Sequence, residues 1–469
     1  MFNRKRYIRS LLAVPLAGLL LVLLASQQAS AAPIDSLLPE RSEQEITQKW
    51  NEWMSEKDKS VTFTETASAM APYIAGKISD SSLEHALNAA NFYRFLSGLE
   101  GDLVLDAALN QQAQHGAVVI STSALSHYPP QPADMPKDFY DLGAKSASSS
   151  NLFAAYSSRG NVAVNSVEAY MDDSDASNIA ALGHRRWILS TQLKKTGFGV
   201  AYRDNKSYAN QFSTMQVLDT SRAEKVNYNY SLYPNKGDFP IEAFKSSQAW
   251  SVQLNPDVFA KPSQSNVRVE VVRSSDQRTW VLGANHKNST DPSGAYFNVN
   301  NDSYAYNYAI IFRPDQIQSL KENDTFNIRI TGLKKKDGSN AEISYQTRFF
   351  SVNKTQPNPG VDPGTQEPDP QDILDNFLVK FQYTADRTLK INGTLLKYAN
   401  QSFTFQIYGP SPDESHIRTV TVNVDARGRF GLTLPNLSAS DLNIYMKVSD
   451  DITYLITAAG NSNVTYYIN

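Results

Sequence analysis

Histidine and carboxylate are the residue types in this chain best suited to chemistry, and the histidines are few. There are six histidines and no cysteine, which excludes thiolate nucleophiles, thiolate metal sites and disulfides. His184 stands in Gly183-His184-Arg185-Arg186-Trp187, beside a glycine and just before the apolar Trp187-Ile188-Leu189. A polar ring in such a turn suits the lip of a cleft. Just upstream runs Asp172-Asp173-Ser174-Asp175-Ala176-Ser177-Asn178, with oxygen donors at alternating positions, as Ca²⁺ prefers. Counted from Asp173, the sixth residue is Asn178 rather than Gly and the twelfth is His184 rather than Glu. The EF-hand pattern is therefore broken, and a solvated loop of Asx turns is the simpler expectation. Serine chemistry has little support. No Gly-x-Ser-x-Gly elbow occurs, and Ser126 beside His127 is adjacency along the chain, not a dyad.

Several elements must position these groups. Val164, Val167, Tyr170 and Met171 recur at helical spacing and predict a helix over 163–172. Gly197–Tyr202 and Asn210–Leu218 read as strands of one antiparallel sheet. Ser81 with Glu84 makes a capping box for a helix over 83–97, and Asp106 caps another over 106–122. These helices would cover the sheet on both sides. Ile46, Trp50 and Trp53 share a face of a further helix over 42–57, expected to pack on the next domain as an N-terminal extension.

Residues 80–220 resemble the CAP superfamily, the SCP-like extracellular domain. Gly183, His184, Arg185, Ile188 and Leu189 match the Gly-His-Arg-x-x-Ile-Leu motif of its bacterial members. Asn91-x-x-Arg94 with Gly98-Leu99 matches its first helix, and Ser126-His127 the turn of its first cleft histidine. The resemblance implies an α-β-α sandwich. It also implies a cleft of two histidines and two carboxylates, which holds a divalent metal in several members and is linked to proteolysis in a few. Carried over, the histidines are His127 and His184. The second carboxylate is Asp172 or Asp173, with Glu168 one turn earlier in reserve. The first carboxylate belongs to a Gly-Glu-Asn motif, and here Arg159-Gly160-Asn161 has no acid. His127, His184 and one aspartate with a water could hold Zn²⁺ and acidify that water. The missing glutamate removes the obvious general base.

The flanks set the context. Arg4, Lys5, Arg6 and Arg9 precede an apolar stretch and Ala29-Ser30-Ala31, the pattern of a secretory signal peptide over 1–31. Without those four basic residues the net charge of −3 becomes about −7, spread without a basic block, which argues against nucleic acid as a partner. Past 225, alternation in Val267/Val269/Val271, Phe326/Ile328/Ile330 and Tyr345/Thr347/Phe349 predicts a β-sandwich over 226–353. Tyr228, Tyr230 and Tyr233 would be packed between domains or form a sugar-stacking platform. A Pro/Asp-rich linker spans 354–375. The final module, 376–469, is similar to bacterial immunoglobulin-like domains, and Val420/Val422/Val424 and Phe430/Leu432/Leu434 flank the turn Asp425–Gly428 as a hairpin.

The expected architecture is α+β: an N-terminal helical extension (32–79), a CAP-type α-β-α sandwich (80–222) and two all-β modules. The expected function is that of a secreted bacterial binding protein, with no integral membrane segment once the signal is cleaved. It could also associate non-covalently with the cell surface. Its cleft of His127, His184, Asp172, Asp173, Asn161 and Arg185 would take a small apolar ligand or a cell-surface or wall component. The alternative is a metal-dependent hydrolase of peptide or wall material, with Zn²⁺ on His127 and His184.

Overall fold

The computed structural model describes residues 33–155, 160–203, 210–289, 291 and 294–353, and, between 377 and 457, seven strands with a few joining residues. The predicted signal (1–31) and linker (354–375) lie outside the described residues. Two compact units divide the chain after Lys354.

In the first unit the helices are α1 (Glu43–Trp53), α2 (Asp80–Leu96), α3 (Ala107–Ser121), α4 (Lys137–Ser149), α5 (Val162–Asp172) and α6 (Gly183–Ile188). Ser42 and Glu45 close a capping box on α1. Its apolar face sets Trp50 edge-on to Phe92 at 5.5 Å and Trp53 against Phe95 at 6.2 Å, so the extension packs on α2 as its spacing predicts. Helix α2 starts earlier than expected, with Ser79 rather than Ser81 as its cap. Several serines there offer a cap. The short pairing of Phe63–Glu65 with Lys77–Ile78 keeps the backbone extended up to Ser79, so the helix begins directly after it.

A three-stranded antiparallel sheet comes next, β1 (Ser150–Ala155), β2 (Phe198–Tyr202) and β3 (Gln211–Gln216), in the order β1-β3-β2. Side chains of β3 alternate between faces. Thr214 Oγ1 donates to Ala113 O of α3 at 2.8 Å, while on the other face Ser213 takes the Ser166 hydroxyl of α5 at 3.1 Å. Helix α3 lies directly on β2 because Gly199 has no side chain. A Cβ there would strike the Ala113 carbonyl. The result is the α-β-α sandwich. Sequence reasoning missed helix α4 and strand β1. Helix α4 carries an amphipathic pattern, with Phe139, Leu142, Gly143, Ser146 and Ala147 at helical spacing, and buries Gly143, Ser146 and Ala147 against α3 and β3.

Beyond it lie β4 (Tyr230–Tyr233), β5 (Gly237–Pro240), β6 (Trp250–Leu254), β7 (Arg268–Arg273), β8 (Thr279–Gly283), β9 (Tyr296–Asn300), β10 (Tyr308–Arg313), β11 (Thr325–Lys334) and β12 (Asn340–Phe350). They form sheets ordered β9-β10-β6-β4 and β8-β7-β11-β12-β5, the predicted sandwich. Trp250 centres its core, 5.9 Å from Phe312, 5.6 Å from Phe326 and 5.9 Å from Phe349. This core does not stop at the α-β-α layer. One cluster of buried side chains runs from Leu38 and Ile46 through α2 and α5 to Phe349 and Phe350. Tyr233, 6.3 Å from Tyr93 of α2, sits at the junction. Tyr228, Tyr230 and Tyr233 are all buried, so the packed reading of these rings holds and the sugar-platform reading does not.

The second unit has a three-stranded sheet (Phe377–Tyr383, Leu389–Leu395, Arg429–Leu434) and a four-stranded one (Ser402–Tyr408, His416–Asn423, Asn443–Ser449, Ile452–Thr457). The expected hairpin around Asp425–Gly428 is corrected here. His416–Asn423 pairs with Ser402–Tyr408, whereas Arg429–Leu434 pairs with Leu389–Leu395 in the other sheet. Residues 426–428 of that turn lie outside the described residues; the free strand edges decide which sheet each arm joins, as in Greek-key sandwiches.

Candidate functional site

Helix α5 ends at Asp173, a non-glycine residue held at φ +47°, and α6 begins after Leu182, held at φ +49°. Two left-handed residues thus bracket the acidic loop and turn α6 back toward the end of α5. The Gly-His-Arg-Arg-Trp stretch, expected as a turn, is this short helix. Within the loop, Asp175 accepts from the Ser177 amide at 2.9 Å and from Asn178 Nδ2 at 2.7 Å, the Asx geometry expected from its composition.

His184 sits at the start of α6. Its Nδ1 is 2.7 Å from Asp173 Oδ1, and its amide donates to Asp173 Oδ2 at 2.9 Å. The Asp173 side chain is 1% exposed and the imidazole 22%. The ring stacks on Tyr170 at 5.4 Å, whose hydroxyl donates to Asn151 O at 3.0 Å. Burial pulls the imidazole pKa down. The hydrogen bond and charge of Asp173, helped by Asp175, outweigh it, so the net shift is upward from the usual 6.5. A carboxylate on Nδ1 leaves Nε2 as the atom that can meet a ligand.

The other carboxylates look elsewhere. Asp172 Oδ2 lies 3.9 Å from Lys245, and Glu168 lies 3.5 Å from Lys57. His127 is exposed on the loop after α3, its Nδ1 2.7 Å from Ala147 O. No hydrogen bond or ring contact among the described residues joins His127 to His184. Nor do three His, Asp or Glu side chains among them gather as a metal ion needs. Zinc takes about four donors. With Asp173 turned to Nδ1 and two backbone amides, the candidate residues offer two imidazoles, and this set does not fit a zinc centre.

Asn161 and Arg185 are frame residues. Asn161 is fully buried and caps α5, its Oδ1 accepting from Ala163 N at 3.0 Å. Arg185 is also fully buried. It donates to Met171 O and Asp172 O at 2.7 Å each, and to Ala249 O of the sandwich at 2.6 Å, with its guanidinium 4.7 Å from the Tyr233 ring. Arg94 donates to Ile188 O and Ser190 O at the end of α6, at 2.8 and 2.7 Å, so the Asn-x-x-Arg motif serves to seat α6.

Sequence reasoning missed the second arginine and the tryptophan of the motif. Arg186 runs beneath the loop after β9, donating to Asn300 Oδ1 at 2.6 Å and Asp302 O at 2.7 Å and closing on Asn307 O. Trp187 meets Tyr304 at 6.4 Å and Tyr306 at 6.0 Å. Nothing local to Arg186-Trp187 announces a partner more than a hundred residues away. Ile179 and Leu182 likewise dock on Ala249, Ala309 and Ile311.

Among the described residues, no helix is long and apolar enough to cross a membrane. Compared with protein-family models, residues 87–218 match that of the Cysteine-rich secretory protein family, CAP. The match occurs in a chain without cysteine. No curated protein matches the chain.

Proposed function

Because residues 87–218 form a CAP domain, we propose that this is a secreted binding protein whose cleft, at the imidazole of His184, engages a small apolar ligand or a cell-surface component. The observation that carries the reading is the Asp173–His184 pair. A buried carboxylate holds the ring in one orientation and tautomer, with Nε2 left for a ligand, while Asp172 lies toward Lys245 and Glu168 toward Lys57. Such a pair makes a fixed hydrogen-bonding or cationic contact for a ligand. The signal-like residues 1–31 support export, and the absence of a basic block disfavours nucleic acid.

The test is co-sedimentation of the full chain with phosphatidylcholine vesicles and with purified cell-wall sacculi, beside a His127→Ala/His184→Ala variant. Retention of the wild type on either probe, lost in the variant, is expected. Equal retention of both removes the cleft from the reading. Micromolar zinc binding with peptide hydrolysis, both lost in the variant, would establish the hydrolase instead.

A further inference from the structure

We infer that Trp187, Tyr304 and Tyr306 form a carbohydrate-binding platform, distinct from the histidine cleft. Tyr304 and Tyr306 are 37% and 47% exposed, and both stand nearly perpendicular to Trp187, at 75° and 88°. Three aromatic rings meeting at a surface form a patch that water solvates poorly. The backbone beneath is strained to present them. Ala305 and Tyr306 are consecutive non-glycine residues at φ +49° and +62°. Such conformations persist only where the surroundings enforce them. Here Arg186 grips the loop from below, and Asn307 Nδ2 donates to Ala305 O at 2.8 Å. The platform is therefore preorganised, and ligand binding would require little further ordering.

The chemistry of the rim selects the ligand class. Asp302 and Ser303 are exposed beside the rings. A sugar ring offers C–H groups on one face, matched to the negative face of an aromatic ring, and hydroxyls at its edge, matched to a carboxylate and a hydroxyl. Asp302 Oδ2 accepts from Asn300 Nδ2 at 2.9 Å, which holds the carboxylate in place at the rim for a sugar hydroxyl. The platform abuts Gly183, where a Cβ would lie 3.0 Å from the Tyr304 ring, but its residues are separate from His127 and His184. The inference therefore does not rest on the cleft reading.

The test is affinity electrophoresis of the full chain in gels containing glycol chitin, laminarin or xylan, with Trp fluorescence titration by tetra-N-acetylchitotetraose. Retardation in at least one gel is expected. It should weaken roughly tenfold in Tyr306→Ala and disappear in Tyr304→Ala/Tyr306→Ala. Tyr306→Phe, which keeps the ring, should bind as wild type, as should His127→Ala/His184→Ala. Thermal unfolding checks that each variant folds, and Asp302→Ala, a surface change, stands in for any that does not. Absence of retardation in all three gels, or equal retardation of the ring variants, overturns the proposal. So does a concentration-dependent dimer in sedimentation that the ring variants abolish, which would assign the rings to self-association.

Discussion

The Asp173 carboxylate grips His184 twice, once at ring Nδ1 at 2.7 Å and once at the backbone amide at 2.9 Å. One buried acid thus ends α5, starts α6 and orients the imidazole. Asp172, its neighbour in sequence, has its carboxylate 3.9 Å from Lys245 and offers Arg185 only its carbonyl.

This pair sets a pH dependence. The folded pKa of His184 lies above its unfolded value, so its stabilisation is complete below about pH 6.5 and is lost as pH rises through the folded value. Asp173→Asn should keep much of the amide contact but lose the charge. Destabilisation of about 2 kcal/mol is expected near pH 6, shrinking at pH 9. Urea unfolding at the two pH values reads the difference, and an NMR titration should show the His184 pKa falling in the variant. A loss that does not change with pH would remove the charge from the account.

Arg185→Met should be among the most damaging single changes. It strips donors from Met171 O, Asp172 O and Ala249 O in a fully buried site. A loss of about 3–5 kcal/mol is expected in denaturant unfolding. Arg185→Lys should not rescue it, because an ammonium cannot span carbonyls on two layers as a planar fork does.

Asn161→Ala separates frame from site. Removing this buried helix cap should cost about 1–2 kcal/mol. Below the unfolding transition, retention on vesicles or sacculi should stay at the wild-type level. A selective loss of retention in a fully folded variant would return Asn161 to the cleft.

Gly199→Ala probes the contact of α3 with the sheet. The added methyl meets the Ala113 backbone, which cannot rotate away. The helix must shift, at about 1–3 kcal/mol, seen as a lower melting temperature.

Residues 33–354 should unfold in one cooperative transition by calorimetry, because one core runs through both layers. A fragment ending near 225 would expose the Tyr93 side of that core and should lose near-ultraviolet circular dichroism. Two resolved transitions in 33–354 would show that the layers are independent.

Much of this molecule was legible in order. Val164, Val167, Tyr170 and Met171 specify α5 because a 3.6-residue period aligns them on one face, and the alternation in Val267–Val271 and Phe326–Ile330 marks strands. Asp106 marks a helix start because a short oxygen side chain satisfies amides that only a helix start leaves unpaired, while Asn161, read as a cleft residue, proves to do the same for α5. These signals act within a few residues, so the chain itself carries them. Helix α4 has apolar residues at helical spacing, Phe139, Leu142 and Ala147, but no side-chain cap marks its start.

Local sequence determined helices α1, α2, α3 and α5, most strands, the histidine motif and the family resemblance of residues 80–220. Tertiary structure alone decided that Asp173 rather than Asp172 faces His184, that Arg185 and Arg186 reach into the β-sandwich, and that the arms of the Asp425 turn enter different sheets. Each of those choices depends on which distant edge or carbonyl is still unpaired when the layers meet. A buried polar group must be satisfied wherever a partner lies, and its position in the chain does not say where that is.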